Sequence, residues 1–416
     1  MRTFNPDGER IRRDIVRLSE FISPDEQGYT RISFSKEDKE AREYISRLMK
    51  EEGGLEVRVD AAGNLIGRKE GKTNGPAIMA GSHLDTVRGG GRFDGVSGVV
   101  AALEAIRRFR ELTIENVHPI EAIVFLAEEP SPFGLSTIGS RAAAGKLSDE
   151  QMSTLRDAAG RSLAEAIAEM GGEPSQISKA RRTPDSALAY CELHIEQGPH
   201  LHAKAVQVGA VTGIVGIWRA NIEVVGRNDH AGTTPMDMRK DALVAASEVI
   251  LALERICAVS EGVVGTIGRV DVFPNALNVI PGRVTLGMEI RSLHDLVAEQ
   301  VSASFEAAIE TIMEKRDISI TFDLWKSSKA VLFPSTMVKR IGDICERLGF
   351  THAEVPSQAG HDANHMAEIV PTGMIFVPSR DGRSHCPEEW TEVEDIVRGT
   401  EVLAQSLFEI DLHGGV

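Results

Sequence analysis

The chain has 416 residues, of which 42% are hydrophobic and 26% charged, and its formal net charge is −16. This length predicts two domains, each with enough residues to bury a core. The negative charge argues against nucleic acid or an anionic membrane surface as a partner, because both would repel it. An anionic substrate is still compatible, since a metal ion and arginines can reverse the field inside a site.

The sequence also predicts a cytoplasmic protein. The first residues contain no apolar run of signal-peptide length, and no segment approaches the length of a membrane span. The four cysteines are scattered without Cys-x-x-Cys spacing, which is typical of reduced thiols. Cys386 stands beside His385, but we favour a small buried residue over a nucleophile at this position.

Hydrophobic periodicity predicts the elements in chain order. Two helices between about residues 7 and 49 precede strands at 55–59, 65–68, 77–83 and 120–127, with a helix at 96–109. This βαβ alternation, which continues to about residue 204, is typical of a mostly parallel sheet. The Ala-rich stretch 148–172 has helical spacing and predicts a surface helical excursion.

From residue 213 the order changes to β-α-β-β-α-β, which is that of a ferredoxin-like α+β unit. The predicted strands are 214–225, 263–272, 284–290 and 318–325, and the predicted helices are 240–256 and 296–313. A helix at 335–348, a strand at 374–377 and a helix at 393–408 then resume the first pattern. We therefore predict an α/β domain formed by 1–212 and 329–416, with an inserted domain, 213–328, joined by short hinges.

Polar motifs follow the predicted strands of the α/β domain. His83 and Asp85, in Gly-Ser-His-Leu-Asp-Thr, project to the same side, and Asp94 follows in a Gly-rich turn. Glu128 and Glu129 follow the next strand, where adjacent carboxylates repel each other unless a cation or a shared proton intervenes. Alone, His-x-Asp is a common motif, and Glu-Glu at a strand end fits a solvated loop. Because ligands bind at the carboxyl edge of such sheets, the joint pattern predicts a metal hydrolase.

Three further histidines lie in short motifs. His194, in Glu-Leu-His-Ile-Glu-Gln-Gly-Pro, ends a strand, where a neutral imidazole either binds a divalent ion or caps the following helix. His385 follows the last sheet strand in a turn set by Pro387, and His361 opens a short helix. Each motif is weak by itself.

Taken in order, the motifs resemble the hydantoinase/carbamoylase branch of the binuclear-metal aminoacylase and carboxypeptidase superfamily. That branch includes N-carbamoyl-L-amino acid hydrolases, allantoate amidohydrolases and β-ureidopropionases. The resemblance extends through Asp-His-Ala-Gly-Thr-Thr-Pro-Met from Asp229 and Asn-Val-Ile-Pro-Gly from Asn278, and it covers the chain end to end. Its specific part is the motif around His194, since ordinary peptidases of the superfamily generally carry a carboxylate there. It implies a metal-binding domain, an inserted dimerisation or lid domain, and a homodimer.

The resemblance also implies two divalent ions per subunit, Zn²⁺ or Mn²⁺, with Co²⁺ or Ni²⁺ equally compatible with the ligand types. The implied ligands are His83, Asp94 and His194 for one ion, and Asp94, Glu129 and His385 for the other, with Asp94 bridging. Asp85 would orient His83. Glu128 matches the family's general base, which takes a proton from water and delivers it to the leaving nitrogen.

The substrate implied by the resemblance is a small carboxylate-bearing molecule. Arg291 matches an arginine that grips the carboxylate through two parallel hydrogen bonds, although alone it would indicate only a surface ion pair. Other positions match contacts to the carboxylate, the ureido group or the oxyanion: Gln197, His230, Asn278 and His361. In relatives, residues of the insert can reach the site from the partner subunit of a dimer, and the sequence leaves open whether they act within one chain or across two here.

One loop departs from the family pattern. Many relatives continue Glu-Glu with Gly and then Ser-x-Phe, whereas this chain has Pro130 and Pro132. Two prolines remove two backbone donors and stiffen the loop, so we expect a different substrate pocket.

We favour a metal-dependent amidohydrolase that cleaves the linear C–N bond of an N-carbamoyl-L-amino acid to amino acid, CO₂ and ammonia. Allantoate is the close alternative substrate, and an N-acyl amino acid deacylase or dipeptidase is the next alternative. The non-enzymatic alternative is a metal-loaded binding protein that kept the fold. It is disfavoured because every implied ligand and Glu128 are present.

Overall fold

The structure is a computed structural model that describes residues 3–413. Its strands, in chain order, are β1 (Glu56–Val59), β2 (Leu65–Lys69), β3 (Ala77–His83), β4 (Ile120–Phe125), β5 (Ala187–Ile195), β6 (Val208–Ile214), β7 (Gly216–Val225), β8 (Val263–Phe273), β9 (Arg283–Ser292), β10 (Ser319–Ser328), β11 (Val331–Leu332), β12 (His352–Ser357) and β13 (Thr372–Val377). Its α-helices are α1 (Gly8–Leu18), α2 (Lys36–Glu51), α3 (Val96–Glu111), α4 (Ile138–Ala143), α5 (Asp149–Thr154), α6 (Leu163–Glu169), α7 (His200–Ala203), α8 (Ala242–Ala258), α9 (Asp295–Arg316), α10 (Ser335–Leu348), α11 (Ala363–Met366) and α12 (Val393–His413). The chain forms two compact units, one comprising residues up to Thr212 and from Phe333 onward, the other Gly213–Leu332.

The first unit is built on a mixed sheet with the strand order β1-β2-β4-β3-β5-β13-β6, and β12 also pairs with β6. The central strands β4, β3, β5 and β13 run parallel to one another, whereas β1, β2 and β6 add antiparallel neighbours. Strands β3, β4 and β13 are buried along their whole length, as parallel strands covered by helices should be. The predicted mixed α/β fold with a mostly parallel central sheet is confirmed.

A buried ion network joins three helices of the first unit. Arg107, on α3, is 1% exposed in its side chain, and its guanidinium lies 2.7 Å from Asp14 on α1. The same group lies 2.6 Å from Glu52, which caps the C-terminus of α2, and 3.4 Å from Glu104. Asp14 also accepts a hydrogen bond from Tyr44 at 3.0 Å. The three helices are therefore joined by ion pairs in which Arg107, Asp14 and Glu104 are buried and Glu52 is partly exposed.

Replacing Arg107 should be costly because its partners Asp14 and Glu104 would remain buried without this counter-ion. Breaking a buried pair costs about 3–5 kcal/mol, and since Arg13 keeps a 2.9 Å contact with Asp14 we expect about 3 kcal/mol for Arg107→Met. The measurement is urea unfolding followed by circular dichroism. The half-exposed Arg12, on the same α1 helix as Asp14, is the control, and Arg12→Met should change stability by less than ~0.5 kcal/mol. Equal stabilities for the two variants would contradict the network's role.

The second unit is an antiparallel sheet with the order β10-β7-β9-β8, covered on one face by α8 and α9. Its elements follow the order β-α-β-β-α-β along the chain. Along β7, residues 216, 218, 220, 222 and 224 are buried and the intervening ones are more exposed, so the strand has one core face and one polar face. Arg219, Glu289 and Arg291 lie on the polar face. At the boundary, Gly213 and Ile214 pair with β11.

The Ala-rich stretch forms two short helices. Ser148 and Ser162 each cap a helix through a capping box, so each starts a new helix, α5 and α6. The intervening turn is closed by Asp157, whose side chain accepts from the amides of Ala159 and Arg161. Within residues 3–413, no helix combines the length and the apolar character needed to cross a bilayer.

Candidate metal centre

Polar side chains from the ends of the central strands meet at one edge of the first unit's sheet. His83 is the last residue of β3, His194 lies near the end of β5, and Glu129 follows β4. Three groups of side chains among the described residues have their candidate ligand atoms within 4.8 Å of one another. One consists of Glu192, His194 and His361. The other two, which share a residue, are His83, Asp94 and His194, and Asp94, Glu129 and His385. Asp94 belongs to both groups, so its two oxygens face two sets of ligands.

The distances place Asp94 at the centre. Its Oδ1 lies 3.1 Å from His194 Nε2 and 3.6 Å from His83 Nε2. Its Oδ2 lies 3.1 Å from His385 Nε2, and that nitrogen lies 3.4 Å from Glu129 Oε1. Glu128 belongs to neither group, and its Oε2 approaches His83 Nε2 to 3.7 Å. Of the two neighbouring glutamates, Glu129 therefore belongs to a ligand group and Glu128 does not.

The two buried histidines present their Nε2 atoms to Asp94. Nδ1 of His83 lies 2.9 Å from the backbone oxygen of Asp85, and Nδ1 of His194 lies 2.9 Å from that of Ile195. Each Nδ1 therefore carries a proton and donates it, which leaves Nε2 available as a ligand. His194 Nε2 is buried and, among the described residues, has no hydrogen-bond partner of good geometry. An unpartnered nitrogen facing a carboxylate fits a bound cation.

The electrostatics of the site favour a positive charge beside Asp94. Burial opposes ionisation of His194, but the adjacent Asp94 raises the pKa of His194 to about 9. Contact with Asp94 likewise raises the pKa of His385 to about 9. Burial raises the pKa of Glu128 well above its ordinary value, and repulsion from Glu129 adds to the shift. A divalent cation would offset this repulsion directly, so the donor set fits a divalent metal.

Backbone geometry fixes the loop that carries Asp94. Gly95 has φ +65, and a Cβ built on it would lie 2.4 Å from the His83 ring, so only glycine fits here. Asp85 holds the segment that follows the neighbouring strand β4: its Oδ1 and Oδ2 accept from the amides of Glu128 and Glu129 at 3.2 and 3.1 Å. The carboxylate of Asp85 lies 3.7 Å from His83 Nδ1, and the closer contact to that ring is the Asp85 carbonyl.

Two of the predicted substrate residues lie beside these groups. Gln197 donates from Nε2 to Asp94 Oδ2 at 2.7 Å, and its backbone has φ +57. His361 is buried, its ring centroid lies 4.4 Å from that of His194, and its Nε2 lies 2.8 Å from Ser357 Oγ. Glu192, which is close to His194 and His361, already accepts hydrogen bonds from Ser82, Tyr190 and Ala363. Its oxygens are committed, which makes it a poor metal ligand.

The proline-containing loop after Glu129 is closed on itself. Ser131 donates to the Leu135 carbonyl at 2.6 Å, and Gly134 N bonds back to the Ser131 carbonyl at 3.0 Å. Phe133 is buried against Phe34, with ring centroids 5.3 Å apart. The loop is therefore anchored by an aromatic contact.

The remaining predicted substrate residues lie in the second unit, where Arg291 is separated from His230 and Asn278. His230 and Asn278 lie in adjacent exposed loops, linked by the hydrogen bond from Ala231 N to Asn278 O at 3.0 Å. The loop with His230 follows Val225, and the loop with Asn278 precedes Arg283. Val225 and Arg283 are paired at one end of the sheet, whereas Arg291 pairs with Ile217 at the other end. Eight residues of strand separate the two ends, which is about 27 Å. One small substrate cannot contact both ends of the same sheet.

Glu389, four residues after His385, belongs to the site although no sequence pattern predicted a role for it. This buried carboxylate accepts hydrogen bonds from the amides of Phe93 and Asp94 at 2.9 and 3.1 Å. The run of glycines at positions 89–91 was the available signal, because it indicates that another group approaches the backbone closely there.

Comparison with known proteins places this site in a family. The model of peptidase family M20/M25/M40 matches residues 79–409. The chain belongs to this family. The match spans every residue of both candidate ligand groups, as well as the whole second unit.

Within the family, the chain is similar to proteins of the hydantoinase/carbamoylase branch, which confirms the predicted resemblance. An N-carbamoyl-L-amino acid amidohydrolase of Geobacillus stearothermophilus is 40% identical over 405 residues, covering 97% of this chain and 98% of that protein. An allantoate amidohydrolase of Escherichia coli is 34% identical over 406 residues, covering 97% and 98%. The crystal structure of an amidase of the hydantoinase/carbamoylase family from Burkholderia multivorans has a TM-score of 0.90 at 33% identity, covering 98% of each chain.

Proposed function

We propose that the protein is a metal-dependent amidohydrolase that cleaves the linear C–N bond of an N-carbamoyl-L-amino acid. One water molecule is consumed, and the products are the amino acid, CO₂ and ammonia. The observation that carries the proposal is the pair of ligand groups that share Asp94, in a chain 40% identical to an N-carbamoyl-L-amino acid amidohydrolase. Allantoate is retained as the second candidate substrate because an allantoate amidohydrolase matches over nearly the same length.

The metal centre we propose holds two divalent ions. His83, Asp94 and His194 would bind one, and Asp94, Glu129 and His385 the other. Histidine and carboxylate ligands suit Zn²⁺ or Mn²⁺, as well as Co²⁺ and Ni²⁺. When bound, such ions supply Lewis-acid chemistry, polarising a carbonyl and activating water at neutral pH.

Glu128 has the position needed to move protons. It is buried and lies outside both ligand groups, and its backbone amide is held by Asp85. Its carboxylate can take a proton from the attacking water at Oε2 and return it to the departing nitrogen. Asp85, through its contacts to two successive amides, orients Glu128 and Glu129 together.

The substrate residues of the second unit support a site shared between two chains. Arg291 would bind the carboxylate in two parallel hydrogen bonds, while His230 and Asn278 would contact the ureido group or the oxyanion. Because about 27 Å separates these two ends of one sheet, both ends can serve one substrate only if they come from different copies. We therefore propose a homodimer in which each active site takes Arg291 from one chain and His230 from the other.

Mixed dimers test the sharing directly. A heterodimer of an Arg291→Ala chain with a His230→Ala chain, purified through two different tags, should recover about half of wild-type activity, because one of its two sites is complete. Each variant alone should be nearly inactive. As the control, a chain with both substitutions paired with a wild-type chain should have no complete site. If that control keeps half of the activity, each subunit uses its own residues. A monomer by light scattering would also contradict the proposal.

A substrate panel tests the function itself. Ammonia release should be fastest with N-carbamoyl-L-amino acids, slower with allantoate, and absent with the D-enantiomers. Preferred turnover of allantoate would establish the second candidate. Faster cleavage of dipeptides or N-acyl amino acids would overturn the amidohydrolase proposal. Tight binding of N-carbamoyl amino acids by the metal-loaded protein without any turnover would indicate the binding protein instead.

A further inference from the structure

A single buried carboxylate joins the two loops of the first unit that carry Asp94 and His385. Glu389 is 2% exposed. Its Oε1 accepts from Phe93 N at 2.9 Å and from Asp94 N at 3.1 Å. Its Oε2 accepts from Ser384 Oγ at 2.7 Å, one residue before His385. One side chain thus holds the backbone of one candidate ligand and the neighbour of another.

The surroundings are shaped to admit this carboxylate. A Cβ on Gly91 would lie 2.1 Å from Glu389 Oε1, so any other residue there would displace it. Aromatic residues of the two loops add a further contact: the rings of Phe93 and Trp390 meet edge to face with centroids 5.4 Å apart. Arg92 lies over the Trp390 ring, 5.5 Å from its centroid. The two loops therefore interlock around Glu389.

We infer that Glu389 is a positioning residue that sets the separation of Asp94 and His385 for metal binding. Asp94 Oδ2 and His385 Nε2 lie 3.1 Å apart, and these atoms come from loops almost 300 residues apart in the chain. Without Glu389, the amides of Phe93 and Asp94 would lose their acceptor. Ser384 would lose its closer partner and keep only the 3.5 Å contact from its Oγ to Asp94 Oδ2. Outer partners of metal ligands typically contribute about 10–100-fold to metal affinity. The inference rests on the metal centre described under the proposed function.

Cobalt titration of the chelator-treated protein, followed by the visible absorption of Co²⁺, measures the effect without using activity. Glu389→Ala should weaken Co²⁺ binding by about 10–100-fold. Glu389→Gln keeps the shape and one oxygen for the two amides, so it should restore most of the affinity. The matched control is the adjacent Glu388, which is 60% exposed and pairs only with Arg383 among the contacts described. Glu388→Ala should bind Co²⁺ like the wild type.

The outcomes separate this inference from the proposed function. Wild-type protein that binds no Co²⁺ would refute the metal centre itself. Wild-type affinity in a folded Glu389→Ala variant would overturn the positioning role alone. A Glu389→Gln variant as weak as Glu389→Ala would also overturn it, since charge rather than contact would then matter. If Glu389→Ala does not fold, Ser384→Ala decides: it removes one side of the link and should weaken Co²⁺ binding, and unchanged binding would contradict the inference.

Discussion

Glu128→Gln should lower turnover of an N-carbamoyl-L-amino acid by about 10²–10⁴-fold, which is the usual contribution of general acid–base catalysis. The amide has nearly the same shape as the carboxylate but cannot accept the proton of the attacking water. The variant should keep both divalent ions, because Glu128 belongs to neither ligand group. Its substrate affinity should be close to that of the wild type.

The adjacent Glu129 provides the matched comparison for this experiment. Its Oε1 lies 3.4 Å from His385 Nε2, so Glu129→Gln should reduce the metal content as well as turnover. Metal content measured by mass spectrometry, together with single-turnover kinetics, distinguishes the two variants. If Glu128→Gln loses metal while Glu129→Gln retains it, the roles proposed for these neighbours are reversed.

Asp94→Asn should have the largest effect of any single substitution in the first unit. Asp94 is the one residue that both ligand groups share, and its two oxygens face His194 and His385. Replacing one oxygen with an amide nitrogen removes the negative charge and points an N–H donor at His194 or His385. We expect loss of at least one ion and a fall in turnover of ~10⁴-fold or more, since metal-dependent rate enhancement is lost with it.

The control for Asp94→Asn is Asp381→Asn, because Asp381 lies near the end of β13 with a side chain that is 73% exposed. That variant should retain the metal content and turnover of the wild type. Equilibrium dialysis with Zn²⁺ or Mn²⁺ measures the stoichiometry for both. An Asp94→Asn variant that still binds two ions with unchanged affinity would contradict the bridging role.

The mixed α/β sheet could be predicted from sequence because its central strands are short apolar runs that end in polar motifs. His83, Glu129 and His194 could be named for the same reason, since each follows or ends such a run. Parallel strands bring those ends to one edge, so local patterns were enough to indicate a common site.

What could not be predicted depends on long-range contacts of individual atoms. Glu389 bonds to amides almost 300 residues away, and no periodic pattern reports such a contact. The hydrogen bonds that the amides of Glu128 and Glu129 donate to Asp85 arise because β3 and β4 are neighbours, which a sequence pattern alone does not establish.

The separation of Arg291 from His230 and Asn278 is a different case, because it follows from strand register. The strands at 214–225 and 284–290 were recognisable in the sequence. Antiparallel pairing then places Val225 beside Arg283 and Ile217 beside Arg291. The distance between the two ends is the product of residue count and rise per residue, so it could have been calculated once that pairing was assumed.

The metal dependence of ammonia release tests the central claim most directly. Protein stripped with a chelator and then dialysed free of it should release no ammonia from an N-carbamoyl-L-amino acid. Stoichiometric Zn²⁺, Mn²⁺ or Co²⁺ should restore the activity, reaching a maximum near two ions per chain. Full activity in the stripped protein, or no ammonia from any N-carbamoyl-L-amino acid or from allantoate after metal is restored, would contradict the account.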